Sequence, residues 1–361
     1  MRLSLVSILS IIALILVIII LILIGLLVFQ TATSASSISQ SIQITTVQPT
    51  PLPKPSPTMR LIEPTTAVPT IIPTLTNQPT SLPTDAAVLN PTATPLTAVI
   101  DTPVPYGFEK SIGKSHQGRD IVSYQFKNGP NKVLFVGGMH GGYEWNSIVL
   151  AYDIIDYFMA NPADVPDSVS LIVIPSANPD GQYLVTQKEG RFQPEDVKVE
   201  DTFPGRFNAI GVDLNRNWDC DWREDAVWRN QPVNAGTHPF SEPETQALRD
   251  YIWEIKPRAV IFWHSSANGV YAARCPELFL PALQLGEVFG EAANYPVHEY
   301  FDYYRINGDA SDWLVTQNIP SITVELRTTK GLDWPQNLAG TQAALDYYAQ
   351  QSELFPKNSA K

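Results

Sequence analysis

Cysteine is nearly absent: Cys220 and Cys275 are the only two in 361 residues, and no Cys-x-x-Cys pair occurs. A thiolate zinc site is thereby excluded. Basic residues are scarce as well. With 24 Lys and Arg against 36 Asp and Glu, the net charge is −12. Nucleic-acid binding, which needs a basic face, is argued against; the balance says little about a substrate. Charge of either sign is missing from Leu3 to Phe29, a run of almost nothing but Ile, Leu, Val, Ala and Ser. No internal repeat is present.

At about 1.5 Å per residue that run is long enough to span a bilayer core of roughly 30 Å. Arg2 precedes it and the next basic residue is Lys54. The N-terminus is therefore expected to stay in the cytoplasm and the remainder to be exported. The run is long for a signal peptide, and Thr31-Ala32-Thr33-Ser34-Ala35 is a poor cleavage site. Residues 1–30 are thus read as a retained single-pass anchor, with secretion as the outcome if cleavage occurs. No Cys closely follows, which argues against a lipoprotein. Residues 31–105 are rich in Thr, Pro, Ser and Gln and hold nearly half of the 31 prolines, including Pro49-Thr50-Pro51-Leu52-Pro53-Lys54-Pro55-Ser56-Pro57. Such a tract cannot bury a core and reads as a disordered, semi-rigid stalk.

Residues 106–356 are enough for one large α/β domain, and almost all of the net charge lies there. Lys132–Val136, Ser170–Pro175, Ala259–Trp263 and Ser321–Val324 are short apolar runs that read as buried strands. Helical patterns alternate with them: one from Asn146, one opened by a capping box at Ser241-Glu242-Pro243-Glu244 and running to about Ile255, and others at Pro281–Ala293 and Gln336–Gln350. The alternation predicts a mixed, mostly parallel sheet with helices on both faces.

His140 and Glu144 sit in a Gly-rich turn, Gly137-Gly138-Met139-His140-Gly141-Gly142-Tyr143-Glu144-Trp145, between the first of these strands and its helix. An imidazole and a carboxylate suit zinc if a third ligand comes from elsewhere. Alone, the pair reads equally as a polar turn with a capping Glu. More polar groups follow the other strands: Asn178-Pro179-Asp180-Gly181, His264, and Glu325-Leu326-Arg327. If the strands are parallel neighbours, these groups converge on one sheet edge, as sites in α/β proteins do. Two His and a Glu make a catalytic zinc site, and a second Glu a base.

The ordered set resembles the zinc carboxypeptidase family, over about the whole of residues 106–356. His140…Glu144-Trp145 is similar to the family's first ligand motif. Asn178-Pro179-Asp180-Gly181 and Arg206…Gly211-Val212-Asp213-Leu214-Asn215-Arg216-Asn217-Trp218 are similar to its middle signature. The resemblance implies that His140, Glu144 and His264 bind one Zn2+, with Asp213 orienting a zinc-bound His. It implies Glu325 as general base for a zinc-activated water and Arg206 as stabiliser of the oxyanion. Asn215 and Arg216 would clamp the substrate's free α-carboxylate, and Tyr304, with Tyr303 as its rival, would close over the substrate. The primary pocket would be lined from Ala310-Ser311-Asp312; Arg274 or Arg305 would favour a second acidic group, as in diaminopimelate. Cys220 and Cys275 would both border the cleft, and a disulfide between them is expected.

The family usually has two residues between the first His and Glu, whereas Gly141, Gly142 and Tyr143 make three. The two glycines are expected to absorb the extra residue as a bulge. The function implied is extracytoplasmic hydrolysis of a C-terminal peptide bond, on ordinary peptides or on γ-D-glutamyl-diaminopimelate stem peptides of a cell wall. The rivals are an N-acyl amino acid deacylase and a catalytically silent surface binding protein. His116, His238 and His298 read as surface or packing residues, and Asp219, Asp221, Glu224 and Asp225 as a solvated loop. Trp218, Trp222 and Trp228 read as one packing cluster or a groove wall.

Overall fold

The computed structural model describes residues 107–354. Strands β1 (Phe108–Lys114), β2 (Asp120–Phe126) and β3 (Asn131–Val136) lead into a 3-10 turn, Gly141–Glu144, and helix α1 (Trp145–Ala160). Strand β4 (Val169–Ile174) and helix α2 (Pro179–Thr186) follow, then a largely irregular stretch with a short ribbon, β5 (Val227–Trp228) and β6 (Gln231–Pro232). The remainder runs α3 (Pro243–Ile255), β7 (Ala259–Ser265), β8 (Gly269–Ala272), α4 (Leu280–Ala293), β9 (Val297–His298), α5 (Ala310–Thr316), β10 (Ser321–Leu326) and α6 (Trp334–Leu354).

Eight strands form one mixed sheet in the order β1-β2-β4-β3-β7-β10-β8-β9. Its centre, β4-β3-β7-β10, is parallel. The pleat sends alternate residues to opposite faces, and the core divides accordingly. Val133 and Phe135 of β3 share a cluster with Ile148 of α1, Phe289 of α4 and Leu345 of α6. Leu134 and Val136 join Leu248 of α3 and Leu314 of α5 on the other face. All four strand side chains are fully buried; at about 1.5–3 kcal/mol each, they contribute roughly 6–12 kcal/mol of burial. A charge at Phe135 would break that layer.

The expected strands and helices are present, with two changes. His264 and Glu325 lie within β7 and β10 rather than after them, because those strands continue pairing up to Leu326↔Ser265. The capping box at Ser241–Glu244 does not form. Glu242 is the N-cap of α3 without a side-chain cap bond. Ser241 Oγ donates to Glu242, while the Glu244 carboxylate accepts from the His116 amide and Asn208 Nδ2. A buried carboxylate takes the donors that reach it, and here they come from distant segments. The expected anchor (1–30) and stalk (31–105) lie outside the described residues. Among the described residues no helix is long and apolar enough to cross a membrane.

Candidate metal centre and substrate cleft

Strand β3 delivers His140 to the carboxyl edge of the sheet, and the 3-10 turn places Glu144 beside it. His140 Nδ1 lies 2.8 Å from Glu144 Oε1. From β7, His264 Nδ1 lies 2.9 Å from Glu144 Oε2 and 3.2 Å from His140 Nδ1. All three are buried, and one ligand atom from each lies within 4.8 Å of the others. Two imidazole nitrogens pointing at each other beside a carboxylate are poorly satisfied by protons alone. They fit one divalent cation, and two histidines with one glutamate form a catalytic zinc donor set. Burial would raise the Glu144 carboxyl, but the facing His140 and His264 outweigh it and hold it well below the usual range. Burial opposes a charge on His264, yet Glu144 drives its pKa up on balance.

Between His140 and Glu144 the chain forms a 3-10 turn rather than the expected bulge. Gly141 has φ +45° and packs against the backbones of Gly205 and Gln182. Gly142 packs against Val185 and Gly181. The turn can thus lie directly on α2 and on the short helical turn Phe203–Arg206, and its tightness keeps His140 and Glu144 within reach of each other.

Asp213 stands behind His140, Oδ1 3.4 Å from Nε2, within ion-pair range though without hydrogen-bond geometry. Its other oxygen holds Arg206, 2.9 Å from Nε and 2.7 Å from a terminal nitrogen. Burial would raise Asp213; Arg206, with His140 and Arg216, lowers it far below the ordinary value. Arg206, so fixed, brings its remaining nitrogen to 4.0 Å from Glu144. Asp213 therefore ties the first donor to the arginine beside the site, the kind of second-layer contact that orients a ligand.

Register places Glu325 directly beside His264, across the β7–β10 pair. Glu325 Oε2 accepts from the Ala267 amide at 3.1 Å. Burial and then the Glu144 carboxylate push its pKa up to about 7.

The cleft encloses about 770 Å³ and is lined by His140, Glu144, His264, Glu325, Arg206, Asn215, Arg216 and both Tyr303 and Tyr304. Ser311, Asp312, Arg274 and Arg305 also line it, whereas Asp213, Ala310, Cys220 and Cys275 do not. Arg216 donates to the Val227 and Asn215 carbonyls and keeps one buried terminal nitrogen without a protein partner. Asn215 is more committed: Oδ1 accepts from the Ala310 amide and Nδ2 donates to Asp309, leaving one amide hydrogen. Tyr304 is half-buried, whereas Tyr303 is 61% exposed and its hydroxyl lies 3.2 Å from that of Tyr271. Cys220 and Cys275 form a disulfide with Cα atoms 6.2 Å apart.

Asp309 was missed as a hub. It caps α5 through the amides of Ser311 and Asp312 and also receives Asn215. The Gly-Asp step before a short helix was the available signal. The three tryptophans form no single cluster. Trp218 is buried against Trp313 and Phe240, the Trp222 indole donates to the Ala235 carbonyl, and Trp228 lines the cleft beside Tyr143 and Phe203. Among the remaining histidines, His116 contacts Glu242 at 2.8 Å and His298 stacks on Tyr271.

This sheet and donor set define a metal-binding α/β protein. A family model described as zinc carboxypeptidase matches residues 108–276, and the donor set suits that family's metal, zinc. It is 31% identical over 153 residues to carboxypeptidase B of Astacus astacus, covering 40% of this chain and 49% of that one. It is 33% identical over 130 residues to murein peptide amidase A of Escherichia coli K12, covering 33% of this chain and 50% of that one. The chain thus spans about half the length of these curated relatives. Among solved structures, carboxypeptidase A from Helicoverpa armigera has a TM-score of 0.52 at 20% identity, over 66% of this chain and 68% of that one. That likeness is one of fold.

Proposed function

We propose that the chain is an exported, membrane-anchored zinc metallocarboxypeptidase that hydrolyses the last peptide bond of substrates with a free C-terminus. The observation that carries this reading is the register pairing of His264 with Glu325. It sets a buried carboxylate beside the donor set without making it part of that set. Export and anchoring rest on Leu3–Phe29, and the stalk on the Pro/Thr tract after it.

His140, Glu144 and His264 would hold zinc, which supplies polarisation of the scissile carbonyl and a water acidified toward a pKa of about 7. With Oε2 bonded to Ala267, Glu325 has Oε1 left to take the water's proton and return it to the leaving amine. Arg206, held by Asp213, steadies the oxygen that gains charge. The unpartnered nitrogen of Arg216, with the spare amide hydrogen of Asn215, receives the terminal carboxylate. Tyr304 covers the substrate. A stem-peptide substrate is the second reading, favoured by the similarity to a murein peptide amidase.

The test is hydrolysis by the full-length zinc-loaded protein of peptides with free or amidated C-termini, with and without a chelator. Chelator-sensitive release of one residue from free C-termini alone is expected. Equal cleavage of amidated peptides would sink the exopeptidase reading. Bound zinc with no turnover would make the chain a binding protein. A γ-D-glutamyl-diaminopimelate peptide in the panel separates the two substrate readings.

A further inference from the structure

We infer that the cleft recognises a carboxylate at the far end of the released residue's side chain, and that Arg274 is its partner. The inference rests on the peptidase reading above and names the substrate that reading leaves open. Strand β8 runs antiparallel to β10, pairing Gly269 with Glu325 and Tyr271 with Thr323. Tyr271 is therefore two residues, about 7 Å along the strand, from the level of Glu325. Arg274 lies three residues further on, in the same cleft. Its amide donates to Asp312 Oδ1 at 2.9 Å, and its guanidinium lies 3.8 Å over the Tyr300 ring. The backbone is thus fixed while the charged group faces the cleft. Ser311 and Thr323 between the two levels are small, which leaves room for an extended side chain.

The other cleft arginines are accounted for differently. Arg206 is paired with Asp213, and Arg305 with Asp221 at 3.3 Å. Arg216 is braced by two carbonyls. Arg229 lies over Trp228, whose ring also touches Tyr143 and Arg206, on the side of the first metal-ligand turn. Among the described residues, Arg274 has no carboxylate within ion-pair distance. The two acids near it do not make the pocket a cation site. Asp309 is spent on Asn215, on the amide and hydroxyl of Ser311 and on the amide of Asp312. Desolvation and then the adjacent Asp309 charge push Asp312 up to about 8, which weakens it as a competing anion. A guanidinium over the Tyr300 ring, beside a carboxyl that resists ionisation, suits a carboxylate. Glutamate carries that group, and so does the second centre of diaminopimelate.

The test uses pairs of C-terminal residues that differ in that carboxylate, and the full-length zinc-loaded protein. Glu is compared with Gln, and diaminopimelate with Lys, which differs from it by that carboxylate. The expected result is a kcat/KM ratio of at least about tenfold in favour of the carboxylate, equivalent to roughly 1.4 kcal/mol, in one pair or both. The pair that shows it identifies the source. In Arg274→Gln the ratio should fall to near one; in Arg274→Lys part of it should persist, which separates lost charge from a misfolded pocket. Ratios at or below one in both pairs, or a ratio unmoved by Arg274→Gln, overturn the inference while leaving the peptidase reading intact. Absence of release from every peptide overturns that reading and the inference with it.

Discussion

Replacing Gly141 with Ala tests whether the extra residue in the first ligand motif is held by close packing. Gly141 has φ +45°, a region that costs an L side chain about 1–2 kcal/mol. An added Cβ would stand 2.7 Å from the Gly205 carbonyl oxygen and 2.9 Å from the Gln182 nitrogen. Both are backbone atoms, so no rotamer change relieves the overlap. Overpacking of this kind costs a further ~1–3 kcal/mol. The sum is about 2–5 kcal/mol, and in a domain of this size each kcal/mol lowers Tm by about 2–4 °C. Gly141→Ala is therefore expected to melt roughly 4–20 °C below wild type by calorimetry. The displaced backbones carry Arg206 on one side and Glu144 on the other. A zinc competition titration should therefore show affinity weakened about tenfold or more, as expected when a ligand's supports are disturbed. A variant melting within about 1 °C of wild type, with unchanged zinc affinity, would refute this account of the turn.

Glu325→Gln should keep zinc, measured by metal analysis, yet lose about 10²–10⁴-fold in kcat, the usual worth of a general base; full turnover would exclude Glu325 from proton transfer. In the wild type, Glu325 accepts a proton only when ionised, so kcat/KM should fall as pH drops through its folded pKa. Burial and Glu144 raise that pKa from 4.5 to about 7 and zinc offsets part of the rise, so the acid limb is expected between those values. A limb below 4.5 would contradict the environment described. Arg216→Ala should abolish the preference for free over amidated C-termini in the peptide assay, and a preserved preference would move the carboxylate clamp elsewhere. Removing the Cys220–Cys275 link by double alanine substitution should lower stability in a denaturant titration by about 4 kcal/mol, from its separation of 55 residues; no change would mean that the link does not restrict the unfolded chain.

That His140, Glu144, His264 and Glu325 would come together could be read from the sequence because each ends or follows a strongly apolar run, and parallel pairing of such runs brings their carboxyl ends together. His264 beside Glu325 is the clearest case: two residues 61 positions apart become neighbours because β7 and β10 pair in register from Ser321↔Val260 to Leu326↔Ser265. What escaped was polar and distant in sequence. Asn215 and Asp309 lie 94 positions apart, and no periodicity connects them. The capping-box reading failed for the same reason. A local four-residue pattern competed with His116 and Asn208, which lie far from Glu244 in the chain and reach it only after folding.

The same competition changes how the Asn-Arg pair is to be understood. As sequence neighbours, Asn215 and Arg216 suggested two equal arms of a carboxylate clamp. In the fold they divide the work. Asn215 is half consumed in joining the 3-10 turn Leu214–Arg216 to the start of α5, through Asp309 and the Ala310 amide. Arg216 is anchored by carbonyls, which leave its charge uncancelled, and it keeps a buried nitrogen unpaired. An unpaired buried donor costs stability, about 1–3 kcal/mol, and that cost is offset only when an acceptor arrives. Substituting Asn215 should therefore loosen α5 and the Ser311–Asp312 wall as well as weaken carboxylate binding, and its loss should blur side-chain selectivity. Substituting Arg216 should remove recognition of the terminal carboxylate while leaving that wall in place. Comparing the two variants on peptides that differ only in the last side chain would separate the roles. Equal effects on selectivity from both would argue that the pair acts as one clamp after all.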